Sequence, residues 1–275
     1  MRTFNKKSMI FKDKVFVVTG AGSGMGRELV LQLVERGARV AAVDLNADTL
    51  KETLALLNEN ADHCSSHVLN IADQDGIAQL PQAVIAAHGC VDAIINNAGI
   101  IQPFVRVNDL SFEAIHRVMD VNFFGLLGMI KVFLPHLLLR PEAHIINVSS
   151  MGGFLPVPGQ SVYGASKAAV KLLSEGLYAE LRDTNVKVSV VFPGAINTNI
   201  TANSGVHMEL PKGAKASDYK TLSAPEAAQI ILKGIENNEL RIYVGSDSKF
   251  MNFLYRLAPT FATNFIAKKM KGLLG

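Results

Sequence analysis

Cysteine is scarce in this chain. Its 275 residues include only Cys64 and Cys90. They show no paired spacing, so neither a disulfide framework nor a thiolate metal site is expected, and a reduced, cytoplasmic compartment fits. The histidines at 63, 67, 88, 116, 136, 144 and 207 also lack metal-ligand spacing, and no metal is expected. The longest apolar run, residues 123–130, is too short to span a bilayer. The N-terminus is basic but has no apolar core, so it does not read as a signal peptide. No Gly-, Ser- or Pro-rich linker divides the chain, and no internal repeat is evident. Net charge is only +3 and is unevenly spread. Residues 1–14 carry Arg2, Lys6, Lys7, Lys12 and Lys14 against Asp13, a net +4. Residues 246–275 carry Lys249, Arg256, Lys268, Lys269 and Lys271 against Asp247, again +4, which leaves −5 for the body between. Basic ends on an acidic body argue against a nucleic-acid partner. They suit peripheral contact with an anionic membrane surface.

What the chain does have is 49% hydrophobic residues in an alternating pattern. Short β-rich apolar runs at 15–19, 39–43, 93–96, 143–148, 186–192 and 241–244 read as buried strands, and residues 67–71 as the end of another. Helical spacing fills the intervals, notably over 111–139 and 161–181. Asn46 and Ser111 stand as caps, and Pro225 opens a further helix. Such alternation predicts one doubly wound α/β domain: a parallel sheet with right-handed crossovers and helices on both faces, a Rossmann-type fold. We place this domain at residues 1–245. Residues 246–275 form a basic amphipathic helical extension, with Pro259 breaking its apolar repeat of Phe250, Leu254, Leu257, Phe261, Phe265 and Ile266.

Gly20, Ser23, Gly24, Met25 and Gly26 lie between the first strand and the first helix. Glycines there permit a tight turn and close backbone approach, and the helix N-terminus offers free N–H groups to a pyrophosphate. No Gly-Lys-Ser/Thr follows, which argues against a nucleoside-triphosphatase loop. Asp44 ends the second strand, where a carboxylate accepts hydrogen bonds from a ribose and repels a 2′-phosphate. Leu45 and Asn46 follow it rather than a cation. NAD is therefore expected in preference to NADP.

Tyr163 and Lys167 are four residues apart, which puts them on one face of a helix. A phenol titrates near ~10 in water and is a poor base at neutral pH. An ammonium one turn away favours the phenolate, and a phenol so tuned exchanges a proton with an alcohol or carbonyl oxygen. Ser150 would give the same oxygen a hydrogen bond. Alone, a Tyr-x-x-x-Lys pair is an ordinary surface feature; the rest of the chain gives it meaning.

Together these motifs resemble the short-chain dehydrogenase/reductase family, in its single-domain form. They comprise Thr19 to Gly26, then Asn96, Asn97, Ala98 and Gly99, then Asn122, Ser150, Tyr163 to Lys167, and Pro193 with Gly194. The resemblance runs from Lys14 to about Val244. It implies that Tyr163 is the acid/base, that Ser150 polarises the carbonyl, and that Lys167 binds the nicotinamide ribose and lowers the phenol pKa. Asn122 would anchor a water-linked proton path. It places Asn97, Ala98 and Gly99 on the adenine side of the cofactor, and Ile196 and Thr198 near the carboxamide. Asn70, followed by Ile71, stands where the family often has Asp near the adenine; an Asn amide still donates and accepts there. A dimer or tetramer is expected, with contact faces on helices 111–139 and 161–181.

The substrate pocket is expected near Gln102, Phe104, residues 151–155, Gln160 and the polar stretch 195–217, which reads as a lid. His207 is the one histidine in that lid. Phe104, Phe154, Leu155, Val157 and Met208 would make the pocket apolar, suited to a secondary alcohol or ketone. Two other readings share these motifs. One is an NAD-sensing binding protein with weak turnover; the other is a sugar-nucleotide epimerase, for which the C-terminal part is short.

Overall fold

Val15–Thr19 (β1) is five residues of Val, Phe and Thr, all buried. Phe16 and Val18 point to one side of the sheet, Val15 and Val17 to the other, so both faces must be covered. The computed structural model describes residues 11–206 and 221–270. The further strands are Arg39–Asp44 (β2), Cys64–Val68 (β3), Ala93–Asn96 (β4), Ala143–Val148 (β5), Val186–Pro193 (β6) and Arg241–Val244, with a two-residue pair, Ile196–Asn197 (β7) and Leu222–Ser223 (β8), that makes the last main-sheet strand β9. The main sheet is parallel throughout, in the order β3-β2-β1-β4-β5-β6-β9. The expected doubly wound fold is present.

The helices sort by face. Gly24–Glu35 (α1) and Ala47–Ala55 (α2) cover the side of Phe16 and Val18. Gln74–His88 (α3) covers the side of Val15 and Val17. Asn46 caps α2, accepting from the backbone N–H of Asp48 and Thr49. Phe112–Met119 (α4) runs through a π-helical turn, Asp120–Gly125, into Leu126–Leu138 (α5). Its successor is Ser161–Glu180 (α6), and both α5 and α6 join α3 on its face. After the short helix Ile200–Asn203 (α7), Ala224–Glu236 (α8) returns to the α1 side. Ser223 and Glu226 close a capping box on α8.

Two boundaries differ from the sequence reading. The third strand ends at Val68, three residues early. Leu69 N–H still reaches the Asp44 carbonyl at 2.9 Å, but the Asn70 side chain then accepts from Ala72 N–H and turns the chain away. The helix over 111–139 is interrupted by the π turn. Residues 112–138 are the one helical run among the described residues long and apolar enough to cross a membrane. Leu126, Met129, Ile130, Phe133 and Leu137 instead pack on the sheet.

The C-terminal extension forms two helices, Ser246–Leu257 (α9) and Pro259–Lys269 (α10). Pro259 occupies the first turn of α10, where its missing N–H costs nothing. Met251 and Ala262 pack with Leu155, and Ser248 Oγ donates to the Phe192 carbonyl at 2.8 Å. These helices therefore lie on their own domain.

His144, on β5, is fully buried. Ser189 Oγ donates to the Glu239 carbonyl at 2.6 Å, so it accepts from His144 Nε2–H at 2.8 Å, and Nδ1 is left without a partner. Burial, aided by Lys187, pushes this imidazole down to about 3. The unfolded chain therefore binds one more proton between the ordinary pKa and that value. The contribution is complete above pH ~6.5 and is lost as pH falls towards about 3. Urea unfolding should show His144→Gln with a flatter pH dependence, by about one proton, between pH ~6.5 and ~5, where carboxylates contribute little.

Candidate active site

The strand order reverses between β1 and β4, and the chain ends on either side part to leave a cleft at the carboxyl edge of the sheet. Its volume is about 750 Å³. Of the residues expected to hold the cofactor, Gly20, Ser23, Gly24, Met25, Asp44, Leu45, Asn70, Ile71, Asn97, Ala98, Gly99 and Thr198 all line it. Gly26, Tyr163, Lys167, Pro193, Gly194 and Ile196 do not. Ile196 instead packs on the core, and Gly194 abuts the Asp247 carboxylate.

The glycine turn is shaped by sterics. Gly20 sits at φ +69°, and a Cβ there would lie 2.9 Å from Asn97 Nδ2. A Cβ on Gly26 would run into the Gly20 carbonyl. The backbone of α1 can pack this closely only without side chains. Ser23, at its N-cap, makes no side-chain cap bond, and the first turn carries no acid. The N–H groups of Met25 and Gly26 thus face the cleft end without a capping acceptor. A cradle that a Cβ would fill, beneath an uncapped helix terminus, fits a dinucleotide pyrophosphate.

Asp44 Oδ2 accepts from Gly22 N–H at 2.8 Å and Oδ1 from Asn46 N–H at 3.0 Å. The acid thus fixes the loop as well as lining the cleft. Thr19 Oγ1 accepts from the N–H of Asn97 and of Ala98, each at 3.0 Å, and Asn97 Nδ2 donates to the Thr19 carbonyl at 3.0 Å. These bonds staple β4 to β1 at the switch point.

Lys167 lies beyond the cleft floor. It is 3% exposed, and its Nζ donates to the Val148 carbonyl at 2.9 Å. A Cβ built on Gly99 would stand 3.0 Å from that Nζ and 3.2 Å from Asn122 Oδ1, so both groups lie directly behind this residue of the cleft wall. Asn122 is fully buried in the π turn. It accepts from Ile100 N–H at 2.8 Å, donates to the Ile100 carbonyl at 2.9 Å, and donates to Ser166 Oγ at 3.0 Å. Ser166 Oγ in turn donates to the Tyr163 carbonyl at 2.7 Å. Ser150 caps the turn Met151–Gly153, accepting from Gly152 N–H at 3.0 Å, and hydrogen-bonds the Tyr163 phenol. Hydrogen bonds link Asn122 and Ser150 to Tyr163, and Lys167 Nζ stands near Asn122 behind Gly99.

The electrostatics differ from the sequence expectation. Burial pushes the Tyr163 phenol up, and the Ser150 hydrogen bond opposes it only in part. Burial also pushes the Lys167 amine down, to about 8. Burial, which penalises both charged forms, thus moves the phenol opposite to the expected acidification, and Lys167 is not among the groups that shift it.

Gln102 and Leu155, expected to line a substrate pocket, are fully buried, and Phe154 stacks edgewise on Phe192 at 5.6 Å. Gln102 does something else. Its Oε1 accepts from Val162 N–H at 2.8 Å and Tyr163 N–H at 3.0 Å, and its Nε2 donates to the Gly159 carbonyl at 2.9 Å. The N-cap of α6, Gln160, makes no side-chain cap bond of its own, so a distant glutamine caps the helix that carries Tyr163. Sequence spacing holds no signal for a cap 60 residues away. The cleft also takes in Arg117 of α4, and Asn203, whose Nδ2 donates to Ser23 Oγ at 2.9 Å; neither was foreseen. His207 and Met208 lie outside the described residues.

A doubly wound parallel sheet with a glycine turn, a strand-end acid and a cleft at the switch point is a dinucleotide-binding Rossmann architecture. The chain belongs to the short-chain dehydrogenase/reductase family of oxidoreductases. Residues 14–209 match the short chain dehydrogenase family model. SadH of Mycobacterium tuberculosis is 36% identical over 260 residues, spanning 90% of this chain and 91% of that protein. Among solved structures, a short-chain dehydrogenase/reductase from Burkholderia phymatum in complex with NAD is 25% identical, with a TM-score of 0.80 over 90% of this chain and 96% of that one. A short-chain dehydrogenase from Burkholderia cenocepacia in complex with NADP is 26% identical, with a TM-score of 0.79 over 94% and 99%.

Replacing Gln102 by Ala leaves two partly buried N–H donors of α6, those of Val162 and Tyr163, without their acceptor. Urea denaturation should report a loss of about 2 kcal/mol.

Proposed function

We propose that this protein is an NAD-dependent dehydrogenase interconverting an apolar secondary alcohol and its ketone, with Tyr163 as the acid/base. The observation that carries this reading is the meeting of Lys167 Nζ and Asn122 Oδ1 at Gly99, beside a phenol already bonded to Ser150. The amine and the amide stand behind Gly99, a residue of the cleft wall, and this supports placing the nicotinamide end there.

Bound nicotinamide would supply the hydride chemistry. The chain's own residues do the rest. Gly20, Gly24 and Gly26 let the α1 N-terminus approach the pyrophosphate, and Asp44 accepts from the adenosine ribose. Lys167 holds the second ribose. Ser150 donates to the substrate oxygen and keeps it against Tyr163. A phenol held neutral by burial is set to give its proton to a carbonyl oxygen, which is general-acid work. In the opposite direction, Tyr163 must lose that proton, and the Lys167 charge favours the resulting phenolate. Asn122 anchors the outer end of the proton path through its bonds to Ile100 and Ser166.

NAD is favoured over NADP because Asp44 lines the adenosine end, where a phosphate on the ribose would meet its carboxylate. Leu45 beside it is exposed and uncharged. An apolar substrate is supported by the apolar side chains of Met151, Phe154 and Leu155 that follow Ser150. A dimer or tetramer would use Phe112, Phe124, Leu138, Leu139 and Leu172, which are exposed along α4, the π turn, the end of α5 and α6.

Tyr163→Phe should lower kcat by about 10²- to 10⁴-fold, followed by absorbance of the reduced cofactor over a panel of secondary alcohols and ketones. NAD affinity by calorimetry should stay within about twofold. Full turnover in that variant would end the acid/base assignment. Asp44→Ala should raise the NADP-to-NAD ratio of kcat/KM by about tenfold or more, since a carboxylate and a phosphate a few ångströms apart repel by about 1 to 4 kcal/mol.

A further inference from the structure

The pair α9–α10 carries two unlike faces. Its inner side packs Met251, Leu254, Ala262 and Ile266 against Leu155 and the turn after Ser150. Its outer side exposes Phe250 at 57%, Phe253 at 63%, Leu257 at 69% and Phe261 at 61%. Positions 250, 253 and 257 follow helical spacing on α9, and 261 and 265 on α10, so each helix shows one apolar face away from the core. Nothing among the described residues covers these side chains. Five large apolar groups are exposed within sixteen residues, and Phe261 and Phe265 stack at 6.4 Å; such a concentration marks an interaction surface.

Charge selects the occupant. From Ser248 to Met270 the chain has no Asp or Glu, while Lys249, Arg256, Lys268 and Lys269 are all exposed. Lys269 Nζ sits 5.4 Å over the Phe265 ring, so cation and aromatic already share one edge. A twofold contact of this patch with a second copy would bring each cation set against its like. An anionic bilayer satisfies both halves of the pattern: rings enter the headgroup boundary and the basic groups meet lipid phosphates and carboxylates. We propose that α9–α10 docks the folded protein on an anionic lipid surface, lying in the interface rather than crossing it.

Flotation of the full chain with vesicles tests this without reference to turnover. Wild type should float with phosphatidylcholine vesicles that contain phosphatidylserine, and far less with phosphatidylcholine alone. Lys268→Gln/Lys269→Gln should lower the partition coefficient about 30-fold, at ~1 kcal/mol per basic residue. Phe253→Ser/Phe261→Ser should abolish flotation with its sedimentation coefficient unchanged. Failure of wild type to float, equal flotation on uncharged vesicles, or variants that float like wild type would each overturn the proposal. So would a fall in oligomeric state in the phenylalanine variant, because the face would then be a contact between copies.

Discussion

The organising constraint is a single buried amine. Lys167 is held inside the protein on the Val148 carbonyl at the end of β5, and burial alone brings it down to about 8. An amine in that position disfavours its own charge, so its surroundings must be polar and fully placed. Around it, Ser149 Oγ donates to the Lys167 carbonyl at 2.7 Å, Asn147 bonds Ser174, and Asn122 reaches Ser166. These bonds tie α6 to β5 and to the π turn, so the helix cannot rotate Tyr163 without breaking several of them. A partly satisfied network of this kind would cost more than an apolar core.

The other half of the site is made by backbone rather than by side chains. Gly20 and Gly26 let α1 approach β4 closely, and Thr19 and Asn97 lock the two strands on either side of the switch point. Asp44 belongs to this frame, because its carboxylate holds the glycine loop through Gly22 while it lines the cleft. The same carboxylate therefore serves as scaffold and as cleft wall. That coupling explains why a loop of small residues can present a fixed array of donors.

The C-terminal helices join these two halves to the surface. Asp247 accepts from Ala195 N–H at 2.7 Å and so supports the loop after β6, while Ser248 and Met251 anchor α9 to the core. One short segment thus steadies the strand end beside the cleft, walls the Phe154 side, and presents an apolar basic face outward.

Alternation of apolar runs and the Gly-x-x-x-Gly-x-Gly turn determined the fold class and the cleft, because period and φ freedom are local properties of a sequence. Helical spacing put Tyr163 and Lys167 on one face for the same reason. The family motifs pointed to Asn122 and Ser150. The balance of charge at the site was not local. Whether a neighbouring ammonium or desolvation governs the Tyr163 phenol depends on how deeply the whole chain buries it, and burial prevails in the folded protein. Nor did spacing foretell that Gln102 would cap α6 rather than line a pocket, that the 111–139 helix would open into a π turn around Asn122, or that α9 and α10 would bury one face and leave the other bare. Each of those outcomes is set by contacts between segments far apart in the chain, which only tertiary packing brings together.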